Sequence, residues 1–492
     1  MIKEEFSNKL SIFLILIVLA IHFSLIALPP VNFEFAFIDA AKYFLSPEDN
    51  KVLLDQYFNH QANTLGLPLL LSGFARLFPG VDIFVLMRSL NLAGILMLSF
   101  SVLLLSKYFG KNNTLTVLAL ILLNPLVWSF SGRAQADFLP MALGVFAIAL
   151  TLIKRDLLIL TLVAGVIFGV AAVLKYHVLS LLVLFAAIHL GSELSKQSLL
   201  RVFIFSIIAV GIVSLFVFKV HSIFGFWVTP PKFQTKLQID LSSILNNFIL
   251  YVGFLVLLSL PTFWISKGFH SLIIRYWKPL IPILAVFILF AIYGLKDTGE
   301  LNFGHFLDLW LSINVRMIIL SMMSLAGLLF LFKSIYPKSR NKIISYVGIA
   351  TIIILLFFSL SRPAQRYLIL LVPFFVLMTP IVFLKSRLVL FSTLFIFISA
   401  DIGIELSRYA TGTAAKKVAD MLEVSGLLSV TNPGPIIVHQ GGRFYPYKDF
   451  TKKYIVVHGD KSVNQDAILS TLPSSILIKK TFSVVPLNPS RR

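Results

Sequence analysis

Apolar runs of about twenty residues recur from one end of this chain almost to the other, separated by short polar connectors, and that pattern restricts the fold more than any motif does. A helix rises about 1.5 Å per residue, so such a run covers roughly the 30 Å of a bilayer's hydrocarbon. With 58% hydrophobic and 13% charged residues and a mean hydropathy of +0.91, no water-soluble core could absorb the apolar surface. The chain reads as an all-α polytopic membrane protein.

The net charge of +20 is then a topology signal. Its Lys and Arg residues are scattered between apolar runs and form no basic face, which argues against nucleic-acid binding. The absence of cysteine removes disulfides, thiolate metal sites and cysteine nucleophiles together. Lys3 and Lys9 precede an apolar stretch over residues 11–28 that lacks a small-residue cleavage site, so it reads as a retained first span.

The positive-inside rule orients the rest. With the N-terminus cytoplasmic, the first span delivers residues 31–80 to the outside, and a second over about 83–106 returns to the basic connector 107–113. Spans three and four, about 114–130 and 138–153, flank an outer turn at 131–137 and come back to Lys154 and Arg155. Spans five and six bracket Lys175, Tyr176 and His177 outside, before Lys196 and Arg201 inside. Outer loops follow at 226–247 and 296–314, alternating with inside loops at Lys267, Arg275 and Lys278 and at Lys333, Lys338, Arg340 and Lys342. Spans eleven to thirteen fill about 343–400, with Arg362 and Arg366 outside and Lys385 and Arg387 inside, for about thirteen spans in all. Residues 1–404 thus form the membrane domain. The apolar runs then stop, and residues 405–492 carry a helix-like stretch at 414–428, an Asn-Pro-Gly-Pro turn at 432–435 and β-branched runs at 436–439 and 454–458. They read as a small soluble α/β domain on the outer face.

Charges that are not inside-loop anchors are costly near a bilayer and are functional candidates. Nearly all fall outside. The first outer loop holds Glu34, Asp39, Lys42 and His60, the second Arg133 and Asp137, and later ones Lys175, His177, Arg362 and Arg366. A carboxylate in a half-dry cleft can take a proton from a nucleophile, and Lys and Arg suit a phosphate. Such a pairing meets the needs of a lipid-phosphate-linked donor: a base for the acceptor and a cationic cradle for the departing phosphate. The plainer readings are an amphipathic solvated helix for Glu34 and Asp39, a helix N-cap for Asp137 and an interfacial anchor for Lys175 or Arg366.

The order of several segments resembles the GT-C membrane glycosyltransferases, especially the aminoarabinose transferase and protein O-mannosyltransferase branch. Glu34-Phe-Ala-Phe-Ile-Asp-Ala-Ala-Lys-Tyr-Phe resembles that branch's motif after the first span. The stretch from Tyr57 through His60 and Pro68 to a Leu-rich run is similar to its next motif, continued by Arg76-Leu-Phe-Pro-Gly and Arg88-Ser-Leu-Asn. Asn124-Pro125 to Asp137 looks like the segment with its second outer carboxylate, Leu174-Lys175 like its lysine turn, and Arg366-Tyr to Pro373 like its late span. Two departures mark a divergent branch: Phe33-Glu34 stands where the family has an Asp-Glu pair, and Gln61-Ala62 where it has two prolines.

The resemblance implies a GT-C fold and transfer of a sugar, with inversion, from a polyprenyl-phosphate donor to a lipid, glycan or protein acceptor on the outer face of the cytoplasmic membrane. Glu34 or Asp39 would be the base and Asp137 would orient acceptor or donor. Lys175 and Arg366 would bind the donor phosphate; Tyr57, His60 and Arg133 would contact substrate. A helix over about 65–78 would serve as a lid. No cofactor is expected, and the unpaired Glu34 tilts the reading towards metal-independent chemistry. A flippase for lipid-linked saccharides and an envelope polysaccharide polymerase or ligase are the alternatives. The first should carry charges deep within its spans, which are almost free of them here.

Overall fold

A computed structural model describes residues 2–24, 26, 34–48, 54, 57–58, 64–111, 113–153, 157–228, 240–260, 262, 313–335, 342–360, 364–379, 438–440, 454–458, 470–473 and 481–486. The chain divides into two compact units. One comprises Met1–Ser24, Ala62–Leu67 and Arg88–Asp401, the other Leu25–Gln61, Pro68–Met87 and Ile402–Arg492.

The helices in chain order are α1 (Ile2–Ser24), α2 (Glu34–Leu45), α3 (Gly66–Leu77), α4 (Ile83–Tyr108), α5 (Thr114–Leu122), α6 (Pro125–Ser131), α7 (Phe138–Leu150), α8 (Leu158–Leu174), α9 (Leu181–Ser192), α10 (Lys196–Phe224), α11 (Leu241–Leu258), α12 (Ile313–Ile335), α13 (Lys342–Ser359) and α14 (Val372–Met378). Short 3-10 turns at Tyr176–Ser180 and Gln365–Leu370 lead into α9 and α14. Five helices among the described residues, α4, α10, α11, α13 and the Ile318–Ile335 part of α12, are long and apolar enough to cross a membrane. A helix satisfies its own backbone hydrogen bonds, the condition for lying in hydrocarbon. Large apolar side chains such as Phe203, Leu215 and Phe218 on α10 stand exposed on the protein surface, where lipid, not water, suits them.

The third span is not the straight helix expected over residues 114–130. It breaks into α5 and α6, bent by 64°. Pro125 has no N–H to give and disfavours helical backbone in the residue before it. Asn124 accordingly turns extended (φ −65°, ψ 128°), and its side-chain oxygen accepts a hydrogen bond from the Leu126 N–H at 3.1 Å. Its amide nitrogen donates to the Leu258 carbonyl at 2.9 Å, tying the break to the end of α11. If the pair is counted as one span the described residues hold six candidates. The helices at expected spans four to six, α7, α8 and Tyr176–Ser192, are shorter apolar pieces of 10–17 residues.

Within the first unit α8 packs on α10 through Gly165 and Gly169. A Cβ on Gly165 would lie 3.3 Å from the Phe205 carbonyl oxygen, and one on Gly169 would meet the Ile212 side chain, so small residues stand where the two helices meet. Between α11 and α12, the Ser324 hydroxyl donates to the Ile249 carbonyl at 2.7 Å.

In the second unit, the Arg76 guanidinium on α3 donates to the Phe44 carbonyl at the end of α2, at 2.7 Å. Four strands, β1 (Val438–Gln440), β2 (Tyr454–His458), β3 (Ser470–Pro473) and β4 (Thr481–Pro486), form one sheet in the order β1-β2-β4-β3. β1 runs parallel to β2; β4 is antiparallel to both β2 and β3. Expected spans nine and thirteen, the helix-like stretch at 414–428, the turn at 432–435, His60, Arg362, Lys385 and Arg387 lie outside the described residues.

Candidate functional site

A connected group of polar side chains in the first unit starts where α8 ends. Lys175 is extended (φ −156°, ψ 111°), which stops the helix and leaves its last carbonyls without intrahelical donors. Thr64 supplies one: its hydroxyl donates to the carbonyls of Val173 and Leu174, the latter at 3.0 Å, while accepting from the Gly66 N–H at 3.1 Å. Gly66 lies so close that a Cβ there would sit 2.7 Å from the Val173 carbonyl carbon.

Lys175 is 4% exposed and does not snorkel. Its ammonium forms an ion pair with Oδ1 of Asp137, which is equally buried. Asp137 stands at the N-cap of α7 without making a side-chain capping bond, so its carboxylate serves Lys175 instead of the helix end. Around this pair gather residues from two other segments. The Tyr367 ring lies 5.6 Å from the Lys175 Nζ and 5.7 Å from the Arg366 Cζ, as centroid distances. Cations at such distances are drawn to the negative face of an aromatic ring. His177 stacks on Tyr367 with centroids 4.1 Å apart and planes 17° from parallel. Burial, and then the charges of Lys175 and Arg366, push the His177 imidazole down to about 3, so it is neutral at ordinary pH. The turn bearing Arg366 and Tyr367 is pinned at its start, where the Ala364 N–H donates to the Tyr251 hydroxyl at 2.9 Å.

Of the expected site residues, Asp137, Lys175 and Arg366 are therefore brought together. Tyr367 and His177 join them; in the sequence His177 is only one of the outer-side charge candidates without a stated role, and Tyr367 appears only beside Arg366 in the resembling segment. Arg133 lies in the turn after α6. Its carbonyl accepts from the wholly buried Asn91 side chain, and its guanidinium carbon is 5.6 Å from the Phe130 ring centroid. Nearby, His22 at the end of α1 sits with Nε2 2.6 Å from the Ser131 hydroxyl, Nδ1 2.8 Å from the Val18 carbonyl and its ring edge-on to Trp128. These contacts fasten the 131–137 turn to α1 and α4.

Glu34, Asp39 and Tyr57 belong to the second unit. The solvated-face reading of α2 fails for both carboxylates: Glu34 is 0% and Asp39 6% exposed. Asp39 Oδ1 has no hydrogen-bond donor among the described residues, and Lys42 approaches only to 3.8 Å. Desolvation pushes the Asp39 carboxyl up to about 6, partly offset by Lys42. A carboxyl in that range ionises near neutrality and retains the basicity to accept a proton. Tyr57 is buried with its ring edge-on to Phe37 at 5.9 Å.

Among the described residues no group of three or more His, Asp or Glu side chains could hold a metal ion. No protein-family model, curated protein or solved structure matches this chain.

Proposed function

We propose that this chain is a GT-C type glycosyltransferase that moves a sugar from a polyprenyl-phosphate donor to a lipid, glycan or protein acceptor at the outer face of the cytoplasmic membrane. In this reading about thirteen spans carry the chain across the bilayer, the N-terminus is cytoplasmic, and residues 405–492 form a small α/β domain outside. The acceptor oxygen or nitrogen attacks the anomeric carbon from the side opposite the phosphate. The bond from that carbon to the phosphate oxygen breaks, polyprenyl phosphate leaves, and configuration inverts. The proton lost by the acceptor goes to the carboxylate of Asp39 or Glu34. Lys175 and Arg366 stabilise the charge gathering on the departing phosphate, the kind of preorganised electrostatic help that matters most in a dry site.

The observation that carries the proposal is that Lys175, ion-paired to the buried Asp137, and Arg366 both lie beside the ring of Tyr367. With His177 neutral, these named groups hold one more positive than negative charge, and they lie on connectors that the charge pattern assigns to the outside. The buried Asp39 carboxyl is the second support. The test is transfer of label from a panel of radiolabelled polyprenyl-phosphate sugars in membranes carrying the wild type, Glu34→Gln, Asp39→Asn or Asp137→Asn. Loss of transfer in Glu34→Gln or Asp39→Asn, at unchanged expression, names the base. Transfer unaffected in all three sinks the catalytic assignment, and a wild type inert with every donor favours a flippase or a diphosphate-using ligase.

A further inference from the structure

We infer that Tyr367 is a positioning residue whose ring gathers Lys175 and Arg366 into a single two-cation cradle for a phosphate group, an inference that rests on the phosphate-binding reading of this site. Lys175 ends α8, while Arg366 and Tyr367 lie in the 3-10 turn that precedes α14, so nothing in the local sequence brings the two cations together. The ring does. Both cations lie at nearly the same distance from its centroid, 5.6 and 5.7 Å. Like charges held close repel, and an aromatic face offsets part of that repulsion without occupying the hydrogen-bonding positions that an anion would use.

The ring is itself held. His177 stacks on it, Phe358 of α13 lies 5.7 Å away and also faces His177 and Tyr251, and the Tyr251 hydroxyl accepts from the Ala364 N–H at the start of the turn. Two helices, α11 and α13, and the turn bearing His177 thus fix the plane against which the cations rest. His177 fits this arrangement because it stays uncharged, so it adds no third positive charge beside Lys175 and Arg366. Asp137 balances Lys175 in part, which keeps the cradle from being so repulsive that it opens without ligand.

The contact that matters is with the ring, and the hydroxyl is dispensable. In the full-length purified chain, equilibrium binding of radiolabelled farnesyl phosphate should weaken roughly tenfold in Tyr367→Leu, the scale of one or two desolvated cation–π contacts. Tyr367→Phe should restore most of that loss. Farnesol, which lacks the phosphate, should bind no differently to the variants, and competition by inorganic phosphate tells a cradle that takes free phosphate from one that requires the lipid. Tyr367→Leu binding as tightly as the wild type would overturn the positioning role while leaving the proposed function standing, as would equal losses in the Leu and Phe variants. A wild type that binds neither farnesyl phosphate nor inorganic phosphate overturns both. Should Tyr367→Leu elute as aggregate in size exclusion, His177→Leu serves in its place. It removes the stack and should weaken binding severalfold, and unchanged binding would count against the inference.

Discussion

The Lys175 ammonium rests on Oδ1 of Asp137 with both side chains buried, which joins the end of α8 to the start of α7 through charge. Removing one partner leaves the other charged in a dry setting, at a cost of about 3–5 kcal/mol, whereas replacing both by apolar residues is often nearly neutral. Lys175→Met and Asp137→Leu should each lower the melting temperature in detergent, and the double variant should recover most of the loss. Sugar transfer should not recover: if Lys175 holds phosphate, the double variant stays at least about a hundredfold down. A stable double variant with full transfer would make the pair purely structural.

If Asp39 is the base of the proposed transfer, it sets that reaction's pH dependence. Its carboxyl sits at about 6, so as a base it is disabled below that value. Transfer should rise about tenfold per pH unit up to about 6 and then level off. Asp39→Asn should abolish the limb together with the activity; a surviving limb in that variant assigns it to another group.

The same shift has a consequence for stability. The folded value, about 6, lies above the ordinary 3.8, so the folded chain holds the proton more tightly. The stabilisation this brings is complete below 3.8 and is lost as pH rises through about 6, amounting to roughly 3 kcal/mol. Asp39→Asn should therefore melt higher than the wild type at pH 7 to 8, with the difference shrinking towards pH 4.

Gly66 meets the backbone of α8 at its last turn, where no Cβ fits. Gly66→Ala must push the 64–66 segment away from the Val173 carbonyl, and overpacking of this kind costs about 1–3 kcal/mol. Thr64→Val should be destabilising too, by about 1–3 kcal/mol, because it leaves the Val173 and Leu174 carbonyls without their donor. Thermal unfolding of the two single variants and the double variant should show losses that do not add, since both act on the same helix end.

Asn124 caps α6 and reaches Leu258. Asn124→Ala loses the cap, at about 1 kcal/mol, and leaves the part-buried Leu258 carbonyl without this donor, at about 1 kcal/mol more. A melting temperature within one degree of wild type would show that the bend stands on Pro125 alone.

How far the sequence could be read depended on the range of the interaction. Helix identity was legible because periodic apolar runs are local, and β2 falls on the β-branched run 454–458 that announced it. Asn124-Pro125 was visible as a pair, yet its meaning as a 64° break depended on a carbonyl in α11. The α8–α10 contact at Gly165 and Gly169 goes unread in the sequence, because only the partner helix shows which small residues are used. Asp137, Lys175 and Arg366 could be named from their sidedness. The ring beside Lys175 and Arg366 could not, because Tyr367 lies 190 residues beyond His177 and only folding stacks the two. Glu34 and Asp39 could be found as carboxylates, but whether water reaches them is decided by neighbours that the local pattern does not name.

Lys111, in the connector after α4, shows how one residue can serve at two different times. Its ammonium donates to the Thr379 carbonyl at 2.7 Å, and burial lowers its pKa to about 8. Thr379 is synthesised 268 residues later, which at about 5–20 residues per second is a delay of tens of seconds. In the proposed topology, where this connector faces the cytoplasm, Lys111 would through that interval be an ordinary hydrated cation favouring the side where translation takes place. Once Thr379 is made, the same ammonium can become a hydrogen-bond donor to its carbonyl. Turning this hairpin over afterwards would then mean first pulling that lysine back out into water.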